Sequence, residues 1–372
     1  MGGSALHFLQ HEHAFPRMPI PVYRNLKSRL YPVIQGLYSH VIVPIEAPEK
    51  KDYGDLDFLV YSPKTDALRH GDAKINVSHD SVKDAIGARH FIPADGNRTS
   101  NFAVPVSKGE WATLGYEDEE EANRKKVEDG EIYYQVDVHV CADKAEWDRI
   151  FFFNSYGDLG MIMGLVAANI GLHLGSKGLQ YSHPPHRRID LSDNFEEIAE
   201  FFGWSMETRN AGFATRQQVF DWVTTSRFFD ASRFRTQGEG IRKVKPQRTM
   251  YSDFVEWVGG LRDTFTSLTD EEKKQIVESA RAEALEHFGK REEVESMVRN
   301  FEARKRMKDV FNGVSVKSWI GAHQWQDVKS VMDRVREQHG GDEGVSTLLD
   351  TEGEGILQQR VLEAFRELKI DK

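Results

Sequence analysis

The 372-residue chain has a single cysteine, Cys141. One thiol excludes an intrachain disulfide framework and any zinc site built from several cysteines. No apolar run approaches the roughly 20 residues a helix needs to cross a bilayer. The opening "MGGSALHFLQHEHAFPRM" lacks the basic region and long apolar core of a secretory signal. The expected setting is therefore intracellular, cytoplasmic first with the nucleus left open, and no membrane partner is expected. The Asn97-Arg98-Thr99 triplet, a glycosylation acceptor by pattern, should go unused there. Positive charge is short as well. The formal net charge is −10, whereas a protein that coats long duplex DNA needs a basic field to neutralise phosphates. Long duplex DNA is thus not an expected partner. Basic residues gather only locally, in "RFRTQGEGIRKVKPQR" at 233–248, where Glu239 is the one acid. The length allows two or three domains, each with its own core.

The chain changes character along its length. "VYRNLKSRLYPVIQGLY" places Tyr23, Leu26, Leu30, Ile34 and Leu37 at helical spacing, with Pro32 expected to kink the helix. A β-rich stretch follows: "HVIVPI", "GDLDFLVYSP", "RHFIPA" and "SNFAVPV" read as strands broken by turn residues. Residues 106–130, with the acid run "YEDEEEANRKKVEDG", read as an exposed insertion. In "EIYYQVDVHVCA", Tyr134, Val136, Val138 and Val140 alternate with Gln135, Asp137 and His139, which predicts a strand with one apolar and one polar face. Beyond 145 the pattern is helical. Leu159, Ile162, Met163, Val166 and Ile170 share a helix face, Gly203 closes "NFEEIAEFFG", and Thr215–Gln218 and Thr269–Glu272 read as capping boxes. The second box opens a helix with an Ile276-Ala280-Ala284-Phe288 stripe and Gly289 as its stop. The expected class is α+β: a mixed-sheet domain over 1–150, a helical region over 151–260 and a helical domain over 261–372.

The chemistry is concentrated in "KDYGDLDFLV". Strand alternation sends Leu56, Phe58 and Val60 to the core and leaves Asp55 and Asp57 together on the other face. Two carboxylates on one strand face repel unless a cation lies between them. Gly54 allows a ligand to approach closely. Asp137 occupies the polar face of its own strand, where a lone carboxylate makes poor β-structure. Three hard-oxygen ligands from two strands suit Mg²⁺, or Mn²⁺, together with substrate phosphates. The bland alternative is a solvated strand start in an acidic chain.

"GDLDFLV" followed by "YYQVDVHV" resembles the [DE]-x-[DE] strand and the third-carboxylate strand of the nucleotidyltransferase superfamily, the fold of DNA polymerase beta. "VDVHVCADKAEWDRIFFFNSYGDLG" is similar to the family X pattern in which the aspartate strand leads to an aromatic turn that opens a helix. "GLHLGSKGLQYS" and "FEEIAEFFGW" resemble the ribbon and the late helix that follow. The likeness covers roughly residues 40 to 205. It implies a polymerase-beta-like palm that transfers a nucleoside monophosphate from an NTP to a hydroxyl acceptor, with Asp55, Asp57 and Asp137 as metal ligands and catalytic residues. It also implies that Phe153, Asn154, Ser155 and Tyr156 support sugar and base.

The sequence departs from the family at two places. The Gly-Ser pair that the family places about ten residues before its carboxylates is missing from "VPIEAPEKKDYGD", so Gly3 and Ser4 of "MGGSALHFL" become the phosphate-binding candidates. Asn154-Ser155 stands where the polymerases have Thr-Gly. An RNA 3′ end is the first expected acceptor, from the basic segment and a faint likeness of "DVFNGVSVKSWIGAHQWQD" to the tail of CCA-adding enzymes. A small molecule or a protein is the second, and a non-catalytic nucleotide- or nucleic-acid-binding module of the same fold is the alternative from another class. His7 and His11, Arg98, and "SHPPHRR" at 182–188 are weaker candidates, read first as solvated surface.

Overall fold

The computed structural model describes residues 14–64, 76–93, 99–182, 184–234, 248–261 and 269–368. Gly3, Ser4, His7, His11, Arg98, His183 and the basic stretch 235–247 lie outside the described residues. The chain divides into two compact units, Met1–Tyr181 with Asp190–Ala284, and Ser182–Ile189 with Leu285–Lys372. Neither division falls at residue 150 or 260. The class is α+β, with a mixed sheet and a helical C-terminal region. Among the described residues no single helix is long and apolar enough to cross a membrane.

The first unit runs β1 (Met18–Pro19), α1 (Ile20–Leu37), β2 (Tyr38–Ile42), β3 (Asp52–Tyr53), β4 (Asp55–Pro63), α2 (His79–Ile86), β5 (His90–Ile92), β6 (Thr99–Pro105), α3 (Glu117–Arg124), β7 (Tyr133–Val140), α4 (Lys144–Asn154) and α5 (Leu159–Asn169). It continues through β8 (Leu172–Gly175), β9 (Gly178–Tyr181), β10 (Ile189–Ser192), α6 (Phe195–Phe202), α7 (Met206–Ala211), α8 (Arg216–Thr224) and α9 (Thr249–Leu261). Five strands form the main sheet in the order β2-β4-β7-β6-β5. Only the central pair, β4 and β7, is parallel; the others are antiparallel.

Alternation decides what each face does. Leu56, Phe58 and Val60 of β4, Phe102 and Val104 of β6, and Val136 and Val138 of β7 are buried together with the apolar stripe of α1 and with Val82 and Ile86 of α2. That stripe is Val22, Tyr23, Leu26, Leu30 and Ile34, and Pro32 lies within the helix. Each such side chain contributes about 1.5–3 kcal/mol by leaving water. The opposite face is covered only in part. Leu59 packs with Cys141 and Ile150, flanked by Trp147 and Phe151 of α4, and the Trp147 indole donates to the Leu59 carbonyl at 3.2 Å. One end of β4 is thereby roofed by α4, while its first residues carry the aspartates.

Residues 106–130 are largely exposed, as their charge suggests, but they are firmly anchored. Trp111 is buried, and its indole N–H donates to the Tyr134 hydroxyl at 2.8 Å. The buried Glu120 carboxylate accepts from the backbone N–H groups of Gly109 and Trp111, both at 2.8 Å, and pairs with Arg124 at 2.9 Å. Arg124 also donates to the carbonyls of Val106 and Gly130. The acid run is solvated on one side, but Glu120 and Arg124 tie the two ends of the segment together, and Trp111 fastens it to β7 through Tyr134.

The helices behave largely as their caps predict. Asn194 caps α6 and Gly203 ends it at φ 80°. Thr215 and Gln218 form the reciprocal box on α8. The helix α10 (Asp270–His287) opens with Thr269 and Glu272 bonded both ways. Its stripe is buried only at the centre, at Ala280 and Ala284, while Ile276 is exposed. The second unit adds α11 (Arg291–Val310), α12 (Gly313–Ile320), α13 (Trp325–His339), α14 (Asp342–Glu352) and α15 (Glu354–Glu367) around a core that includes Phe311, Val331, Val335, Val345, Leu357 and Val361.

Truncating Glu120 to alanine leaves the buried Trp111 N–H, the Gly109 N–H and one guanidinium N–H of Arg124 without their acceptor. The expected cost is roughly 3 kcal/mol, read as a lower midpoint in urea unfolding with an unchanged slope. A midpoint within error of the parent contradicts this anchoring.

Candidate active site

The start of β4 and the middle of β7 meet at the centre of the sheet. Parallel pairing sets Asp55 opposite Gln135 and Asp57 opposite Asp137. Antiparallel pairing of β7 with β6 then sets Asn101 on the other side of Asp137. Neighbouring strands lie about 4.8 Å apart. Asp57, Asp137 and Asn101 therefore form a polar row across three strands, with Asp55 two residues along the same face of β4. The structure thus brings together the three aspartates singled out by sequence. Asp52, in the same short motif, is not among them: its carboxylate pairs with Arg17 at 2.7 Å beside the β1–β3 bridge.

Like charges at this spacing disturb each other's titration. The Asp137 carboxyl is pushed up to about 6, chiefly by burial and further by Asp55. It is held from rising more by hydrogen bonds from the Asn101 amide at 2.7 Å and the Gln135 amide at 3.0 Å. Asp57 is raised well above the ordinary carboxylate value by surrounding protein and by the charges of Asp55 and Asp137. Its side chain is nevertheless open to water. Crowding and access pull against each other here, and the two neighbouring carboxylates fix the upward direction. Sequence reading missed Asn101 altogether and placed Gln135 on the polar face without a role. The only available signal was strand parity in "SNFAVPV", and parity does not reveal which strand lies beside Asp137.

A third missed residue is Lys50, five positions before Asp55. Its ammonium lies 4.4 Å from the centroid of the Tyr53 ring and within electrostatic reach of both Asp55 and Asp57. Burial lowers its pKa, with Arg17 acting in the same direction and the two aspartates opposing.

The residues of the aromatic turn take different positions. Phe153 and Asn154 end α4, where Phe153 is half-buried and Asn154 exposed. Ser155 and Tyr156 are buried. The Ser155 hydroxyl accepts from the Ile45 N–H at 3.2 Å and donates to the Phe151 carbonyl at 2.6 Å. The Tyr156 N–H donates to the Ile45 carbonyl at 2.7 Å, with Tyr156 at φ 66°. Gly157, at φ 68°, is needed there: a Cβ on it would lie 2.7 Å from that of Ala47. The turn therefore grips the segment joining β2 to β3. The buried Arg209 steadies it from behind, donating to the Phe152 carbonyl at the end of α4 with its guanidinium 3.7 Å from the Phe152 ring centroid.

As they stand, the described residues contain no group of three or more His, Cys, Asp or Glu side chains gathered closely enough to hold a metal ion. Asp137 is instead turned to the amides of Asn101 and Gln135. The donor chemistry still suits a hard cation. Mg²⁺ is commonly held by one or two carboxylates plus phosphate oxygens and water, and Asp55 and Asp57 supply two carboxylates with like-charge strain that a cation relieves.

The raised carboxyls make the stability of the metal-free protein depend on pH. A carboxyl whose folded pKa is raised binds its proton more tightly when folded. Its contribution is therefore lost as pH rises from about 4, the unfolded value, through about 6 for Asp137. In chelator, wild-type protein is expected to lose stability across that window relative to Asp137→Asn, by up to roughly 3 kcal/mol. Mg²⁺ should offset part of this loss in the wild-type protein. Parallel melting curves of the two proteins between about pH 4.5 and pH 7 would contradict this. A scan against protein-family models finds none that matches this chain, and a search of the curated proteins finds no match, so the identification of the site rests on the chain's own residues.

Proposed function

We propose that the chain is a metal-dependent nucleotidyltransferase with a polymerase-beta-like palm, transferring a nucleoside monophosphate from an NTP to a hydroxyl acceptor. The observation that carries this reading is the register of β4 against β7, which faces Asp57 with Asp137 and keeps Asp55 on the same side. A structural role for these carboxylates would be served better by one acid and one amide, since unscreened like charges on adjacent strands are destabilising. Asp55 and Asp57 would hold Mg²⁺ or Mn²⁺. The ion supplies Lewis-acid stabilisation of charge on the transferring phosphoryl group and favours ionisation of the attacking hydroxyl.

The chain's own residues supply the rest. Asp137, whose carboxyl is raised by burial and by the nearby Asp55, is a better proton acceptor than an ordinary carboxylate. It would take the proton of the acceptor hydroxyl as the oxygen attacks the α-phosphorus. Asn101 and Gln135 fix the orientation of that carboxylate. The turn at 152–156 would act by holding the 43–50 segment beside the site. Of its members, Phe153 and Asn154 are the ones that would meet sugar or base directly, since Ser155 and Tyr156 are buried.

The acceptor class rests on the local basic segment. Its described ends are engaged in the protein: Arg233 pairs with Asp230 at 3.5 Å and Arg248 with Asp158 at 2.6 Å. The lysines and arginines of 235–247 lie outside the described residues, and an RNA 3′ end remains the first-choice acceptor.

The test is incubation with each labelled NTP and Mg²⁺ or Mn²⁺ against RNA 3′ ends, DNA ends and small hydroxyl compounds. Wild type should label one class. Asp57→Asn and Asp137→Ala should reduce turnover at least 10³-fold, an effect of about 4 kcal/mol on the barrier, while folding normally in chelator. Turnover in these variants within a fewfold of wild type would remove the metal-dependent reading.

A further inference from the structure

Lys50 is placed with more care than a surface lysine requires. The segment that carries it is tied down at several points. Ile45 is bonded through both its N–H and its carbonyl to Ser155 and Tyr156. Glu46 accepts from the Tyr23 hydroxyl at 3.0 Å and from Lys27 at 2.7 Å. The Pro48 carbonyl and the Glu49 carboxylate both receive Arg216, from its side chain at 3.3 Å and its backbone N–H at 3.0 Å. Glu49 is held at φ 56°. On the other side of Lys50, Tyr53 pairs with Met18 across the β1–β3 bridge and stacks on Tyr23 with centroids 3.8 Å apart.

This framework places the lysine ammonium 4.4 Å from the ring centroid of Tyr53, which lies two residues before Asp55, and within electrostatic reach of Asp55 and Asp57. A cation fixed beside two carboxylates has one role in a protein without divalent ions, which is to offset their repulsion. Once a divalent ion neutralises those carboxylates, that role ends. The incoming triphosphate then brings more negative charge than the ion balances, and a lysine is a compact point charge suited to phosphate oxygens.

We infer that Lys50 binds the β- and γ-phosphates of the incoming nucleoside triphosphate and the pyrophosphate that leaves. The inference rests on the nucleotidyltransferase reading and assigns that site its polyphosphate-binding residue. In the step it serves, the acceptor oxygen forms a bond to the α-phosphorus and the bond from that phosphorus to the bridging oxygen of the β-phosphate breaks. The hydroxyl proton passes to Asp137, and the leaving pyrophosphate keeps the electron pair. Lys50 remains protonated throughout and offsets charge that grows on the leaving group. Its contact is therefore stronger in the transition state than in the ground state, which is the condition for an effect on rate as well as on binding.

The experiment compares wild type with Lys50→Met and Lys50→Arg. Methionine keeps an unbranched stem over Tyr53 and removes the charge, so the fold should survive; thermal melts in chelator establish this. Calorimetric titration with inorganic pyrophosphate and Mg²⁺ should show Lys50→Met weakened roughly 10- to 100-fold, with Lys50→Arg recovering much of the loss. Affinity for a nucleoside monophosphate should stay the same in all three. In turnover assays, KM for the NTP should rise and kcat should fall in Lys50→Met. A folded Lys50→Met with wild-type pyrophosphate affinity and wild-type KM overturns the proposal alone. Equal weakening of monophosphate and pyrophosphate also overturns it, since that is the signature of a structural role. Wild-type protein that binds no pyrophosphate and turns over no triphosphate overturns the nucleotidyltransferase reading together with it.

Discussion

The side-by-side placement of Asp57 and Asp137 is the constraint on which the other arrangements converge. Backbone pairing of β4 with β7 holds the two carboxylates one strand spacing apart, and neither can retreat without breaking the central ladder of the sheet. Their repulsion is met locally in two ways. Asn101 and Gln135 donate to Asp137, and Lys50 lends charge to Asp55 and Asp57. Both are partial measures, and the carboxyls of Asp57 and Asp137 stay raised, chiefly by burial and further by neighbouring carboxylates. Such an arrangement stores electrostatic strain at a point where a divalent ion would release it.

The surroundings make this strained pair usable. On the apolar face, α1 and α2 pack against Leu56, Phe58, Val136 and Val138, so the strands cannot rotate to expose their hydrophobic side chains. On the polar face, α4 covers Leu59 and stops short of the aspartates. The end of α4 then returns through Ser155 and Tyr156 to grip Ile45. The result joins a rigid sheet centre, with carboxylates and amides on one face, to an anchored loop whose lysine lies within electrostatic reach of them. Preorganisation of this kind is what electrostatic catalysis requires, because groups already in place cost no reorganisation when charge develops.

Local features were legible in the sequence and long-range ones were not. The face parity of Asp55, Asp57 and Asp137 followed from alternation alone, as did the stripe of α1 and the caps of α6, α8 and α10. Period and capping are properties of neighbouring residues, and a sequence displays them directly. The identity of the strand beside Asp137 is not such a property. Asn101 becomes meaningful only when β6 is known to run antiparallel to β7 in one register, and register is set by the whole sheet. Lys50 was hidden for a similar reason, because it acts through a loop whose shape depends on Ser155, Tyr156 and Arg216, more than 100 positions away. Residues 106–130 are exposed as their charge suggests; what composition does not display is the buried glutamate with its arginine partner that anchors them.

The most direct test of the account is anomalous diffraction from crystals soaked with Mn²⁺ and a non-hydrolysable triphosphate analogue. The account predicts manganese density at Asp55 and Asp57 with the triphosphate beside it, and the Asp137 carboxylate still held by Asn101 and Gln135 on the same face. Manganese bound elsewhere, with no triphosphate on this face of the sheet, would contradict it.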